Sequence, residues 1–268
     1  MRVAYLQYNP VYLEVAHNLA RVETLLKGVD ADLIVLPELF ASGYFFRSSD
    51  DLAAVAEPIP EGPTIRWMLD WCRRKQTVLV GGLPEHHNGR FFNTAVVVGP
   101  DGLIGSYRKV HLFYEEKLHF NPGDLGFRVF DVPDPNGQSY RLGVMICFDW
   151  YFPEAARTLA LQGADIIAHP SNLVRPDCPR AMPIRALENH VFTVTANRYG
   201  TESNGRETLK FIGQSLICDP AGHILKAAPP EGDQVGIVEI DPRKARNRRI
   251  TSYNDLFEDR RPAFYRLS

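Results

Sequence analysis

Three side chains able to do covalent chemistry together close short apolar runs of this sequence. Glu38 follows LIVLP, Lys109 follows LIGSYR and Cys147 ends LGVMIC. A cysteine nucleophile needs a base to take its proton, and a cation or N–H donors to hold the oxyanion it creates. A carboxylate and an ammonium fill those places without histidine. Each residue alone has an ordinary explanation: an acid after a strand is commonly a cap, a lysine is usually solvated, and a cysteine in an apolar strand is a small core residue. Their joint occurrence at strand ends, where ligands gather in layered α/β folds, makes them the candidate site. The other thiols lack this setting: Cys72 falls inside a predicted helix, Cys218 before a turn, and Cys178 between prolines in a predicted loop. A helix opened by Pro153 soon after Cys147 would turn its positive end toward the sulfur and favour the thiolate.

The elements that must position these residues read as alternating strands and helices. RVAYLQ (2–7) is a predicted strand, and Leu13, Ala16, Leu19, Ala20, Val22, Leu25 and Leu26 have the spacing of an amphipathic helix ending at Gly28. Leu33–Leu36 is an apolar run suited to a strand buried on both faces. Pro63 opens a helix to about Lys75, followed by a short strand at Val78–Gly81. Residues 91–110 read as a hairpin turning at GPDG, then come RVFDV, LGVMIC and the Pro153 helix. The second half echoes the first. GADIIAHPSN (163–172) resembles DADLIVLPEL (30–39), VFTVTA (191–196) follows a helix as Val78–Gly81 does, and SLICDPAGHILKA (215–227) matches AVVVGPDGLIGSY (95–107). Two similar β-α-β halves predict two sheets packed about a pseudo-twofold axis, with helices outside.

Composition bounds the function. The 268 residues are 45% hydrophobic and 23% charged, which excludes a disordered chain, a collagen-like repeat or a coiled coil. No Ser/Gly-rich linker divides them, so residues 1–268 read as one domain. Thirty Lys and Arg against 32 Asp and Glu leave a net charge of −2, which argues against nucleic-acid or anionic-membrane partners. No apolar run reaches the roughly 18 residues that span a bilayer. The N-terminal apolar stretch breaks at Gln7, too early for a signal peptide. A soluble cytoplasmic protein with free thiols is expected.

The motifs around the three candidate residues carry a family resemblance. LPELF (36–40), YRKVHLF (107–113) and ICFDWYFPE (146–154) resemble the three signature segments of the nitrilase superfamily of carbon–nitrogen hydrolases, in the same order. FNPGD (120–124), RALEN (185–189) and NDLFEDRRP (254–262) resemble further segments, so the likeness runs nearly end to end. It implies an α/β fold built as a four-layer α-β-β-α sandwich with two pseudo-symmetric halves. It also implies Glu38 as general base, Lys109 as electrostatic stabiliser and Cys147 as nucleophile. A further family glutamate maps to Glu116, with its neighbour Glu115 as the competing assignment. No cofactor and no metal are implied.

The implied reaction is hydrolysis of a non-peptide carbon–nitrogen bond in a small aliphatic nitrile or amide. It passes through a Cys147 thioester, reached from a nitrile by way of a thioimidate. Lys109 and the backbone N–H of Phe148 would hold the oxyanion. Tyr44, Tyr114, Phe148, Asp149, Trp150 and Asn172 are the candidate substrate-binding residues, chosen because they follow the relevant strand ends; Phe45 and Phe113 accompany them. An N-carbamoyl amine or amino-acid amidohydrolase is the alternative, with Arg175 or Arg198 reading a carboxylate. A catalytically silent scaffold subunit is the alternative from another class. The resemblance also implies a homodimer or larger homo-oligomer. The tail, about 250–268, would contribute Phe257, Phe264 and Tyr265 either to subunit contacts or to packing within one subunit.

Several other signals carry less. His86-His87 lacks a third ligand at metal-binding spacing. His111 lies two residues beyond Lys109, where it could support the lysine by hydrogen bonding, and His169 reads as a packed residue. RKARNRR (243–249) would form a solvated or subunit-contact helix face after Asp241-Pro242. No glycine-rich phosphate loop is present, which argues against a nucleotide cofactor.

Overall fold

A computed structural model of the chain describes residues 1–133, 137 and 139–265. The strands are β1 (Arg2–Gln7), β2 (Leu33–Val35), β3 (Val78–His87), β4 (Arg90–Gly99), β5 (Gly102–Arg108), β6 (Val129–Pro133), β7 (Ser139–Val144), β8 (Ile166–Ser171), β9 (Phe192–Asn197), β10 (Tyr199–Ser203), β11 (Thr208–Ile212), β12 (Leu216–Cys218), β13 (Ile224–Ala227) and β14 (Gln234–Glu239). The helices are α1 (Val15–Leu25), α2 (Ser49–Val55), α3 (Pro63–Lys75), α4 (Glu116–His119), α5 (Pro153–Leu161) and α6 (Cys178–Asn189). Among the described residues the strands form two six-stranded sheets, ordered β14-β1-β2-β3-β4-β5 and β13-β12-β9-β8-β7-β6, and a ribbon β10-β11.

The two sheets have the same pattern of strand directions. Starting from β14 in one and β6 in the other, the neighbours pair antiparallel, parallel, parallel, antiparallel and antiparallel. The pseudo-twofold repeat expected from the echoing segments is therefore present in the topology.

Side-chain alternation along the strands builds the layers. Val3 and Tyr5 of β1 join a core shared with Leu142 and Val144 of β7 and with Val194 of β9, so the sheets pack face to face. Ala4 and Leu6, on the opposite face of β1, pack with Leu19 and Val22 of α1 and with Ile65, Met68 and Trp71 of α3. On the far side, a side chain added at Gly143 of β7 would meet Leu159 of α5 at 3.2 Å, which fixes α5 against that sheet. The result is the expected α-β-β-α sandwich. The parallel central strands are buried on both faces, which explains their uninterrupted apolar runs.

Several local expectations change. β3 runs on to His87, well past Gly81, because it pairs with the whole of β4. β7 stops at Val144, and Cys147 instead begins a 3₁₀ turn, Cys147–Tyr151. Cys178 opens α6 rather than lying in a loop; Pro179 is tolerated there because first-turn N–H groups have no intrahelical acceptor. The basic cluster forms a short 3₁₀ turn, Pro242–Arg246, in which Arg246 pairs with Asp165 at 2.7 Å. In the tail, Phe257 packs on the chain's own core beneath the guanidinium groups of Arg157 and Arg248, whereas Phe264 and Tyr265 are exposed. The last three residues of the expected contact segment lie outside the described residues. Among the described residues no helix is long and apolar enough to cross a membrane.

Candidate active site

Glu38 sits in the turn after β2, and Lys109 follows the last residue of β5. Both side chains are fully buried, with Lys109 Nζ 2.6 Å from Glu38 Oε1 and 2.7 Å from Glu116 Oε1. Glu116, the first residue of α4, is held in place by the backbone N–H of Phe113, which donates to its Oε2 at 2.7 Å. Glu115 points elsewhere, pairing with Arg206 and accepting from Asn204. The amide of Asn93, in the middle of β4, donates to Glu38 at 2.7 Å and to Glu116 at 3.2 Å. Its signal was an Asn inside the apolar run FFNTAVVV, because a polar group buried there must have partners.

Charge dictates the protonation pattern. Burial lowers the affinity of the Lys109 amine for its proton, but the carboxylates of Glu116 and Glu38 outweigh it, so the net shift is upward. Burial pushes the Glu116 carboxyl up to about 7 despite the opposing pull of Lys109. The Cys147 thiol is driven well above its ordinary range, first by burial and then by Glu38; Lys109 and the backbone N–H of Asn172 oppose the rise. The sulfur therefore keeps its proton in the resting site. The expected dipole-stabilised thiolate is not found, because the Pro153 helix does not follow the sulfur directly and burial outweighs what cations supply. Glu38 Oε2 has no hydrogen-bond partner and is free to receive a proton.

The cysteine turn is held from two sides. Cys147 has φ +42°, a conformation that L-residues avoid unless surroundings impose it. The buried imidazole of His169 faces the Cys147 carbonyl through Nε2 at 2.9 Å, and its Nδ1 lies 3.0 Å from Thr195 Oγ1. Burial lowers the His169 pKa to about 4, leaving a neutral ring whose Nε2–H donates to that carbonyl. On the other side, the Asp149 carboxylate accepts from the backbone N–H of Ile146 at 2.8 Å and from the Tyr107 hydroxyl at 2.7 Å.

A cavity of about 20 Å³, room for one water, lies beside Cys147, lined in part by Phe113, Phe148, Trp150, Asn172 and Arg175. Asn172 also ties the two halves, its side-chain amide donating to the Glu38 carbonyl at 2.9 Å. Tyr44 is buried beside the Glu116 carboxylate; burial, then Glu116, Glu38 and Cys147, hold its proton on firmly. Tyr114 is half exposed and tilts against Phe45 at 6.4 Å.

Three expectations are corrected here. Asp149 does not line the cavity: it is fully buried, and both its oxygens are committed to Tyr107, His111 and Ile146. His111 bonds Asp149 rather than Lys109 and stacks on Phe152 at 3.7 Å, because β5 has already ended and the chain turns away. Arg198 is no carboxylate reader, since it is buried against Glu202 at 2.7 Å and Asn9 at 2.7 Å. Among the described residues no group of His, Cys, Asp and Glu could hold a metal ion.

A buried thiol, a carboxylate with a free oxygen and an ammonium, gathered at the strand ends of an α-β-β-α sandwich, define a thiol hydrolase. Comparison with known proteins agrees. The profile of the Carbon-nitrogen hydrolase family matches residues 2–250, and this chain belongs to that family, within the nitrilase superfamily. It is 52% identical to a nitrilase from Pyrococcus abyssi over 99% of both chains. It is 35% identical to an (R)-stereoselective amidase from Pseudomonas sp. over 92% of this chain and 87% of the relative. A crystal structure of an amidase from Nesterenkonia sp. superposes with a TM-score of 0.76 at 27% identity, covering 93% of each chain.

Proposed function

We propose that this chain hydrolyses small aliphatic amides or nitriles to the carboxylic acid and ammonia, with Cys147 as nucleophile and Glu38 as general base. The observation that carries the reading is Lys109 Nζ lodged between Glu38 and Glu116 while Glu38 Oε2 stays free and Cys147 keeps its proton. Glu38 takes the thiol proton as sulfur attacks the amide carbon. The oxyanion is held by the Lys109 ammonium and the backbone N–H of Phe148. Glu38 returns the proton to nitrogen, the carbon–nitrogen bond breaks, and ammonia leaves a thioester. Water then attacks, losing its proton to Glu38, and the acid departs as sulfur is reprotonated. A nitrile gives a thioimidate first and adds water before ammonia leaves. Glu116 orients Lys109, while Tyr44, Tyr114, Phe148, Trp150 and Asn172 surround the substrate. The small cavity favours compact substrates.

A second reading, N-carbamoyl hydrolysis, draws on Arg175 in the cavity wall, where a guanidinium could read a substrate carboxylate. Ammonia release from a panel of aliphatic nitriles, amides and N-carbamoyl amino acids separates the readings. Release from none of them favours the silent scaffold. The reading includes a cytoplasmic location, consistent with four free thiols, and a homodimer or larger assembly, for which Ile184 and Leu187 on the exposed side of α6 offer apolar surface. Light scattering on the purified protein tests the assembly.

A further inference from the structure

We propose that Asp149 is a positioning residue that locks the Lys109 segment to the Cys147 turn and so sets the ammonium-to-sulfur geometry; this rests on the function proposed above. Its carboxylate accepts four hydrogen bonds. Oδ2 receives the Tyr107 hydroxyl at 2.7 Å and the Ile146 N–H at 2.8 Å; Oδ1 receives His111 Nδ1 at 2.7 Å and the His111 backbone N–H at 3.2 Å. Tyr107 and His111 stand two residues either side of Lys109, and Ile146 immediately precedes Cys147. The Tyr107 oxygen also accepts from the backbone N–H of Val110 at 3.2 Å, closing a ring around the lysine's own peptide. Asp149 thus joins the first half of the sandwich, which supplies the ammonium, to the second, which supplies the sulfur.

The chemistry of the anion matters here. Four donors converge on two oxygens, and an ionised carboxylate is the side chain that accepts them all. An amide of the same shape would put two N–H donors where acceptors are needed. His111 is fixed further by stacking on Phe152 at 3.7 Å, so the clamp cannot follow a shifted Asp149 without unstacking a ring. Displacements of about 1 Å at a reacting pair cost on the order of a hundredfold in rate.

The test is steady-state kinetics of ammonia release from propionamide, or from propionitrile if the amide is not turned over, alongside thermal melting. For Asp149→Asn we expect kcat about a hundredfold lower, KM changed less than threefold, and a cooperative melt retained. Tyr107→Phe removes one of the four donors, and its kcat should fall about fivefold at unchanged KM. In the double variant the Tyr107→Phe effect should shrink, because the amide's single oxygen cannot serve both the Tyr107 side and the His111 side. A kcat near wild type in folded Asp149→Asn overturns the proposal. If Asp149→Asn does not fold, Tyr107→Phe decides: unchanged kcat overturns the clamp. Failure of the underlying reading is separate, since it shows as a wild-type protein that releases no ammonia or as an active Cys147→Ala variant.

Discussion

The two halves of the sandwich share a scaffold but not a chemistry. Asp32 and Asp165 mark the same point in each. Each carboxylate accepts from the backbone N–H of an arginine, Arg2 at 2.6 Å and Arg141 at 2.9 Å, and each backbone N–H returns to that arginine's carbonyl at 2.8 Å. Counting on from these anchors, Glu38 and Ser171 each come six residues after the aspartate, and Tyr8 and Cys147 six after the arginine. One half places an ionisable carboxylate at the end of its second parallel strand, where the other places a hydroxyl bonded to a neutral histidine. One half places a thiol after its first strand, where the other places a buried phenol that donates to the Phe40 carbonyl. The repeat supplies positions, and the site arises where the halves depart from one another.

That contrast can be broken at matched positions. Cys147→Ala should lower ammonia release at least ten-thousandfold, whereas Tyr8→Phe should leave turnover within a few-fold and cost about 1 kcal/mol of stability for one lost hydrogen bond. Equal losses would mean that the repeat, not the thiol, carries the reaction. Glu38→Gln should lower kcat about a thousandfold, and Ser171→Ala less than tenfold. Lys109→Met tests the charge balance by leaving two buried carboxylates together. Chemical denaturation at pH 7 should show a loss of about 3–5 kcal/mol.

The smallest effect is a pair of opposed pH slopes. The raised Glu116 keeps its proton in the folded state between its ordinary pKa of 4.5 and about 7, so it makes stability fall as pH rises through that window. His169, lowered from 6.5 to about 4, is neutral when folded and protonated when unfolded between those values, so it makes stability rise with pH. The two largely cancel in the wild type. Glu116→Gln should therefore steepen the rise in melting temperature from pH 4 to 6.5 relative to wild type, and His169→Gln should shift the slope downward. Parallel profiles in all three proteins would contradict these protonation states.

Much of this was legible in the sequence because it lies in residue type at strand ends. Glu38, Lys109 and Cys147 stand after apolar runs, and the repeated Pro-terminated strands announced the two sheets. What escaped depends on direction and partnership. Asp149 follows the cysteine by two positions and looked like a substrate contact, yet the 3₁₀ turn aims it back at Tyr107 and Ile146. Asn93 bridges two carboxylates that are distant in the chain, so only folding reveals its role. The prolines around Cys178 suggested a loop, although a helix accepts proline in its first turn. The β10-β11 ribbon was not anticipated; it delivers Glu202, whose carboxylate accepts from the backbone of Tyr44 and Phe45.

The closeness of the space beside Cys147 has a kinetic consequence. With room for little more than a water there, bulk beside the reacting carbon meets the walls made by Phe113, Phe148, Trp150 and Tyr151. A branched acyl carbon should therefore turn over more slowly than a straight one of equal reactivity, a selection by shape that precedes any bond making.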